Sequence, residues 1–215
     1  MAFGFSDLLR GEASDDFRDL ESRLLQFETF SEATATETLA SAAGWDLSSC
    51  DDHIQRALLL MEIPLADTAL RSGAVHEYDE RVQSLESRAR QALSCAPRDS
   101  FVWLVLFGLE TGHGILNEHA FKLLAMSYET SPNEAWIATR RTALAIPVVL
   151  SAPEAMQQKI LTEFQDLVRN GFLEMPARSY LRASAPTRTL LQSRIEQLDA
   201  SSQKAFSDTL QRLRS

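Results

Sequence analysis

Residues 89–136 read ARQALSCAPRDSFVWLVLFGLETGHGILNEHAFKLLAMSYETSPNEAW, and the fold is decided here. The order is a helix end, a Pro-marked turn, an apolar helix, the Gly112-His113-Gly114 turn, an amphipathic helix and a second Pro-marked turn. The two joints, CAPRDSF and TSPNEAW, resemble each other. Pro97 and Pro132 are 35 residues apart, and the pairs Ala92/Ser127 and Phe101/Trp136 keep that offset. Self-similarity near this period marks stacked helix pairs. The run SFVWLVLFGLET at 100–111 could also be read as a strand, since Phe, Val and Trp favour strands. No partner strand or hairpin signal occurs elsewhere. A helix apolar on every side is one buried between neighbours, so the expected fold is all-α with this helix central.

The same periodicity extends in both directions. A helix is expected over 14–30, capped by Ser14, with Phe17, Leu20, Leu24 and Phe27 on one stripe. Ser31 caps a second helix ending at Gly44, and Trp45 to Ser49 read as a loop. A helix from about Ser49 to Arg71 buries Ile54, Ala57, Leu58, Met61, Leu65 and Ala69, with a kink or break expected at Pro64 and a stop at Gly73. Another follows over 75–94. Beyond the central helix, 115–130 places Leu116, Ala120, Leu123 and Leu124 on one face. A helix over 133–150, capped by Asn133, turns Trp136, Ala143, Leu144 and Ile146 inward and ends or bends near Pro147. Pro153 opens 153–170, with Met156, Ile160, Phe164, Leu167 and Val168 on its face, and shorter helices follow at 173–183, 186–199 and 201–214.

Only 8 Gly and 7 Pro in 215 residues leave few breakers, which favours long helices. The two cysteines, Cys50 and Cys95, are too few for a disulfide framework and read as small buried apolar residues rather than a bridge. No run of 18 apolar residues occurs, so no membrane span is expected. The first residues lack the basic and apolar regions of a signal peptide. Residues 1–60 carry 4 arginines against 12 carboxylates, a net of −8, whereas 176–215 carry 7 basic against 3 acidic residues, a net of +4. An acidic head disfavours nucleic acid and anionic membranes, because phosphate binding needs a concentrated positive field.

Residues 101–134 resemble a tetratricopeptide repeat. With Phe101 as first position, Gly108 and Ala120 fall where small residues let the two helices approach, Pro132 falls at the terminal proline, and Leu104, Phe107 and Leu124 take large packing positions. Thr111 replaces the usual Tyr, and Ser127 replaces an Ala. The runs C-D-D-x-x-x-R-A-L at Cys50, L-x-C-A-P-R-D-S-F-x-W-L-x-L-F from Leu93, and M-S-Y-x-x-x-P-N-E-A-W-I-A-x-R-R-x-x-L-A from Met126 are similar to a family of small helical alphaproteobacterial proteins labelled as polysaccharide-biosynthesis accessory proteins. The resemblance implies antiparallel helix pairs stacked as a right-handed superhelix, and a pathway without a named reaction. Members of that family commonly begin with a membrane-anchoring helix, which is not seen here. The expected location is the cytoplasm, or the periplasm or envelope if an N-terminal anchor has been removed.

The expected organisation is an acidic helical cap or arm at 1–44, a tetratricopeptide-like core at 45–175 and C-terminal helices at 176–215. Among residues that could carry chemistry, His113 and His119 flank a turn at a spacing of six, unlike a helical zinc pair, and Asp51, Asp52 and His53 read as a charged helix start. Neither a nucleophile elbow nor a Gly-rich phosphate loop occurs. No metal, cofactor or catalytic residue is expected. The binding candidates are Trp103, Trp136, Arg140 and Arg141, since guanidinium groups fork onto anions and stack on aromatic rings. Either arginine could instead pair with Glu134 or Glu110 at a helix joint. The expected function is a non-catalytic interaction or scaffold module with a protein or peptide partner, and self-association as a homodimer is a further expectation. The alternative is a sugar-phosphate-binding accessory protein or enzyme using Arg140 and Arg141 beside Trp136.

Overall fold

The computed structural model describes residues 15–26, 28–44 and 50–214. Among them every regular element is helical, as the periodicity predicts. In chain order these are α1 (15–25), α2 (Glu32–Ala43), α3 (Asp52–Ser72), α4 (Val75–Cys95), α5 (Ser100–Gly112), α6 (Glu118–Thr130), α7 (Ala135–Ala145), a 3₁₀ segment (Ile146–Ser151), α8 (Glu154–Arg169), α9 (Glu174–Arg182), α10 (Ala185–Ile195) and α11 (Ala200–Arg212). The expected cap at Ser14, the stripe residue Phe27 and the loop at Trp45–Ser49 lie outside the described residues. No described helix is long and apolar enough to cross a membrane. The contacts divide the chain into two compact units, 1–109 and 110–215, with the division inside α5.

In the first unit α3 and α4 form an antiparallel pair, and α2 packs on α3. The α3 stripe is the expected one, Ile54, Ala57, Leu58, Met61, Leu65 and Ala69, all buried. Asp51 accepts the Ile54 N–H at 3.1 Å as the N-cap, so the helix starts at Asp52, three residues after Ser49. Pro64 does not break it: α3 runs unbroken to Ser72, with Pro64 on an exposed position. Gly73 then takes the left-handed conformation, φ +74°, and donates its N–H back to the helix end. A Cβ built at Gly73 would meet nothing within 4 Å, so only backbone strain opposes a side chain there. The Gly73→Ala variant is expected to lose about 1 kcal/mol in urea unfolding; an unchanged midpoint would show that the turn relaxes freely.

Cys50 and Cys95 are not the buried apolar residues expected from composition. They are joined as a disulfide with Cα atoms 5.3 Å apart, and both lie on the exposed surface. The reason is the equality of the two arms: α3 and α4 each have 21 residues, so the residues just before α3 and at the end of α4 arrive level at the open end of the hairpin. The same end carries an ionic hub. Arg56 of α3 reaches Glu21 of α1 and, at 2.8 Å, Asp99 in the turn before α5. Asp99 in turn accepts the Phe101 and Val102 N–H groups at 3.0 and 3.2 Å, capping α5. His53 Nδ1 lies 2.5 Å from the second oxygen of Glu21. Thus Asp51 and His53 are helix-start and clasp residues.

In the second unit α7 and α8 pack against each other, α9 against α7, α10 against α8, and α11 against α9. The stripe Met156, Ile160, Phe164, Leu167 and Val168 is buried on α8 as expected. Phe206 of α11 meets Phe164 and Tyr180 edge-on, with both centroid separations 5.9 Å. On α7 the inward face differs from the expected one. Glu134, not Asn133, occupies the N-cap, and the buried residues are Ile137, Ala138, Arg141, Thr142 and Ala145. Leu144 therefore points outward, as does Leu116, which precedes the true start of α6 at the Asn117 cap. The helix ends before Pro147, where the chain tightens into the 3₁₀ segment.

Candidate functional site

The α6–α7 joint is a short turn, Ser131-Pro132-Asn133-Glu134, held by local bonds. Ser131 Oγ donates to Glu134 Oε1 at 2.9 Å, and Trp136 Nε1 donates to Glu134 Oε2 at 2.9 Å. The expected Glu134 partner of an arginine is thus occupied by an indole and a hydroxyl. Arg140 lies over the Trp136 ring at 5.3 Å and donates to the Trp136 carbonyl at 3.4 Å. Burial pulls its guanidinium down to about 10, which leaves it cationic at neutral pH.

Arg141 is fully buried, 0% exposed. Its Nε and Nη2 both donate to Glu163 Oε1 of α8, at 2.9 and 2.6 Å. Its Nη1 donates to the Ser127 and Ser131 carbonyls at 2.8 and 3.0 Å. The first lies in the last turn of α6 and the second on its C-cap residue, where intrahelical donors run out, so Arg141 also caps that helix. Its guanidinium stacks on the Tyr128 ring at 4.5 Å, and Tyr128 Oη donates to the other oxygen of Glu163 at 3.0 Å. Burial pushes the Glu163 carboxyl up, while its bonds from Arg141 and Tyr128 pull the other way. Burial, with the nearby Glu163 charge, also drives the Tyr128 hydroxyl up, so it stays protonated as a donor.

Tyr128 and Glu163 also line an open groove of about 820 Å³. One wall is a face of α8: Gln158, Lys159, Thr162, Glu163, Asp166, Leu167 and Asn170. The other is Pro132 and Asn133 of the joint with Ala135 and Ala138 of α7, and Phe172 stands beyond the end of α8. The alanines leave the space, and the α8 face supplies amides, a hydroxyl and charges. Asp166 is paired with Arg169.

Of the four residues expected to bind, the structure groups Trp136, Arg140 and Arg141 on α7 but gives them different work. Arg141 is wholly engaged in joining α6, α7 and α8, and its acid is Glu163 rather than Glu134 or Glu110. Trp103 belongs to the first unit, where its Nε1 donates to the Pro97 carbonyl at 2.9 Å. His119 Nε2 lies 3.9 Å from a Glu110 carboxylate oxygen. The sequence reading missed Tyr128, Glu163 and the α8 wall. One signal for Glu163 was present: it sits at a stripe position among Met156, Ile160, Phe164 and Leu167, where an ionisable residue needs a partner.

The first unit holds a comparable buried acid. Glu62 of α3 accepts from Ser84 Oγ at 3.1 Å and has Arg81 and Arg88 of α4 each at 3.9 Å. Burial raises this carboxyl. No family model, no curated protein and no solved structure matches the chain.

Proposed function

We propose that this protein is a non-catalytic interaction module whose second unit receives a peptide segment of a partner in the α7–α8 groove. The observation that carries the reading is the groove's floor. Its volume falls in the range of ligand sites, yet its buried ionisable groups are already satisfied: Glu163 by Arg141 and Tyr128 together. Such a floor supplies shape and polarity rather than a group free to move protons. Asn133, Thr162 and Asn170 offer donors and acceptors that match peptide groups.

The resemblance of the run from Met126 to polysaccharide-biosynthesis accessory proteins supports a partner in that pathway. The Cys50–Cys95 bridge supports an oxidising compartment such as the periplasm over the cytoplasm expected from sequence, because such bonds are kept reduced in the cytosol. A sugar-phosphate ligand is the second reading, favoured by one observation, the Arg140 cation over the Trp136 ring.

Hydrogen exchange on the full chain separates the two. With a mixed pentapeptide pool, added protection is expected over 133–138 and 158–172. Protection centred on Trp136 and Arg140 with a sugar nucleotide, and none with peptides, would reverse the order of the readings.

A further inference from the structure

We propose that the groove selects a short extended peptide carrying a carboxylate at one end and an apolar side chain at the other; this rests on the binding-groove reading above. The α8 wall is polarised along its length. At its N-terminal end Lys159 is exposed, and Arg194 of α10 joins it by donating to Gln158 Oε1 at 2.5 Å. Neither cation forms an ion pair among the described residues, whereas the groove's own carboxylates, Glu163 and Asp166, are held by Arg141 and Arg169. At the other end stand Leu167, Pro132 and Phe172, the last 48% exposed.

Between Lys159 and Asn170 the helix rises about 16 Å at roughly 1.5 Å per residue. An extended chain covers that with about five residues at roughly 3.3 Å each. Ala135 and Ala138 leave room for the backbone between the two ends. The unit's charge fits the same partner: residues 110–215 carry 12 basic against 11 acidic groups, a net of +1, while residues 1–109 carry 9 against 19, a net of −10. An acidic segment is therefore repelled by the net charge of the first unit and tolerated by the nearly neutral second.

The test is fluorescence anisotropy of the full chain with labelled pentapeptides. The probes have Asp or Glu at one end and Leu or Phe at the other, beside Gln-substituted, Lys-substituted and scrambled versions. C-terminal acid and amide forms distinguish a terminal carboxylate from a side-chain one. The acidic–apolar probe is expected to bind about tenfold tighter than its Gln version at low salt, and to lose this preference as salt rises. Lys159→Glu is expected to weaken it about tenfold through lost attraction and new repulsion, and Phe172→Ser to weaken it similarly. Both positions are exposed, so circular dichroism should be unchanged, and Lys204→Glu on α11 serves as the control. Equal binding of the Gln or Lys probes, still sensitive to Phe172→Ser, would overturn the carboxylate preference and leave the groove reading standing. Binding by no probe, or binding indifferent to both groove variants, would overturn both.

Discussion

Arg141→Ala is expected to cost about 3–5 kcal/mol, because it leaves the Glu163 carboxylate buried without its counter-ion. The loss exceeds the ion pair itself. The same guanidinium donates to the Ser127 and Ser131 carbonyls and stacks on Tyr128, so the end of α6 loses its cap together with the pair. Arg141→Lys should recover only part of this, since one ammonium cannot both engage Glu163 and reach two carbonyls in fork geometry. The informative comparison is Arg141→Met combined with Glu163→Leu. Removing both charges should be much less damaging than either single loss. Urea unfolding and hydrogen exchange over α6–α8 measure the series. A cost below about 1 kcal/mol for Arg141→Ala would mean that water reaches Glu163 readily, and the buried-joint account would fail.

The second large effect concerns the first unit. Replacing both Cys50 and Cys95 with serine is expected to destabilise it by about 4 kcal/mol, the chain-entropy value for a ring of this size, the cysteines being 45 residues apart. Adding reductant to the wild type should reproduce the shift in urea midpoint, and a thiol titration should find two free groups only after reduction. The Arg56 hub at the same end remains in the variant and should keep α1, α3 and the start of α5 associated. Identical midpoints with and without reductant would show that this hub alone secures the hairpin end.

Much of the fold was legible because helix signals are local. Ser31 was read as a cap, and its side-chain oxygen accepts a backbone N–H as expected; Asp51, Asn117, Ser184 and Asp199 cap in the same way but were not singled out. The apolar stripes of α3 and α8 were readable for the same reason, as spacing alone specifies them. The α7 face was misread because its inward stripe includes an arginine. Ile137, Ala138, Arg141 and Ala145 are correctly spaced, but a charged residue hides the phase and hydrophobicity alone favours Leu144. Pairings between helices are not local: the stripe position of Glu163 marks it as needing a partner, but spacing does not name Arg141, 22 residues away, as that partner. The disulfide had a readable sign that composition obscured: Cys50 and Cys95 stand almost symmetrically about Gly73. Once Gly73 is taken as a tip, equal arms bring them together.

That ring alters how the protein should respond to cleavage. The tip of the hairpin, with Leu70 and Val75 both exposed around Gly73, is a natural place for a protease to enter. A single cut there opens the backbone but releases nothing, because both new ends remain tethered through the far end of α3 and α4. The nicked chain should migrate as one species in a denaturing gel until a thiol is added, then separate into two fragments. A non-reducing gel alone would consequently overlook backbone damage at this turn.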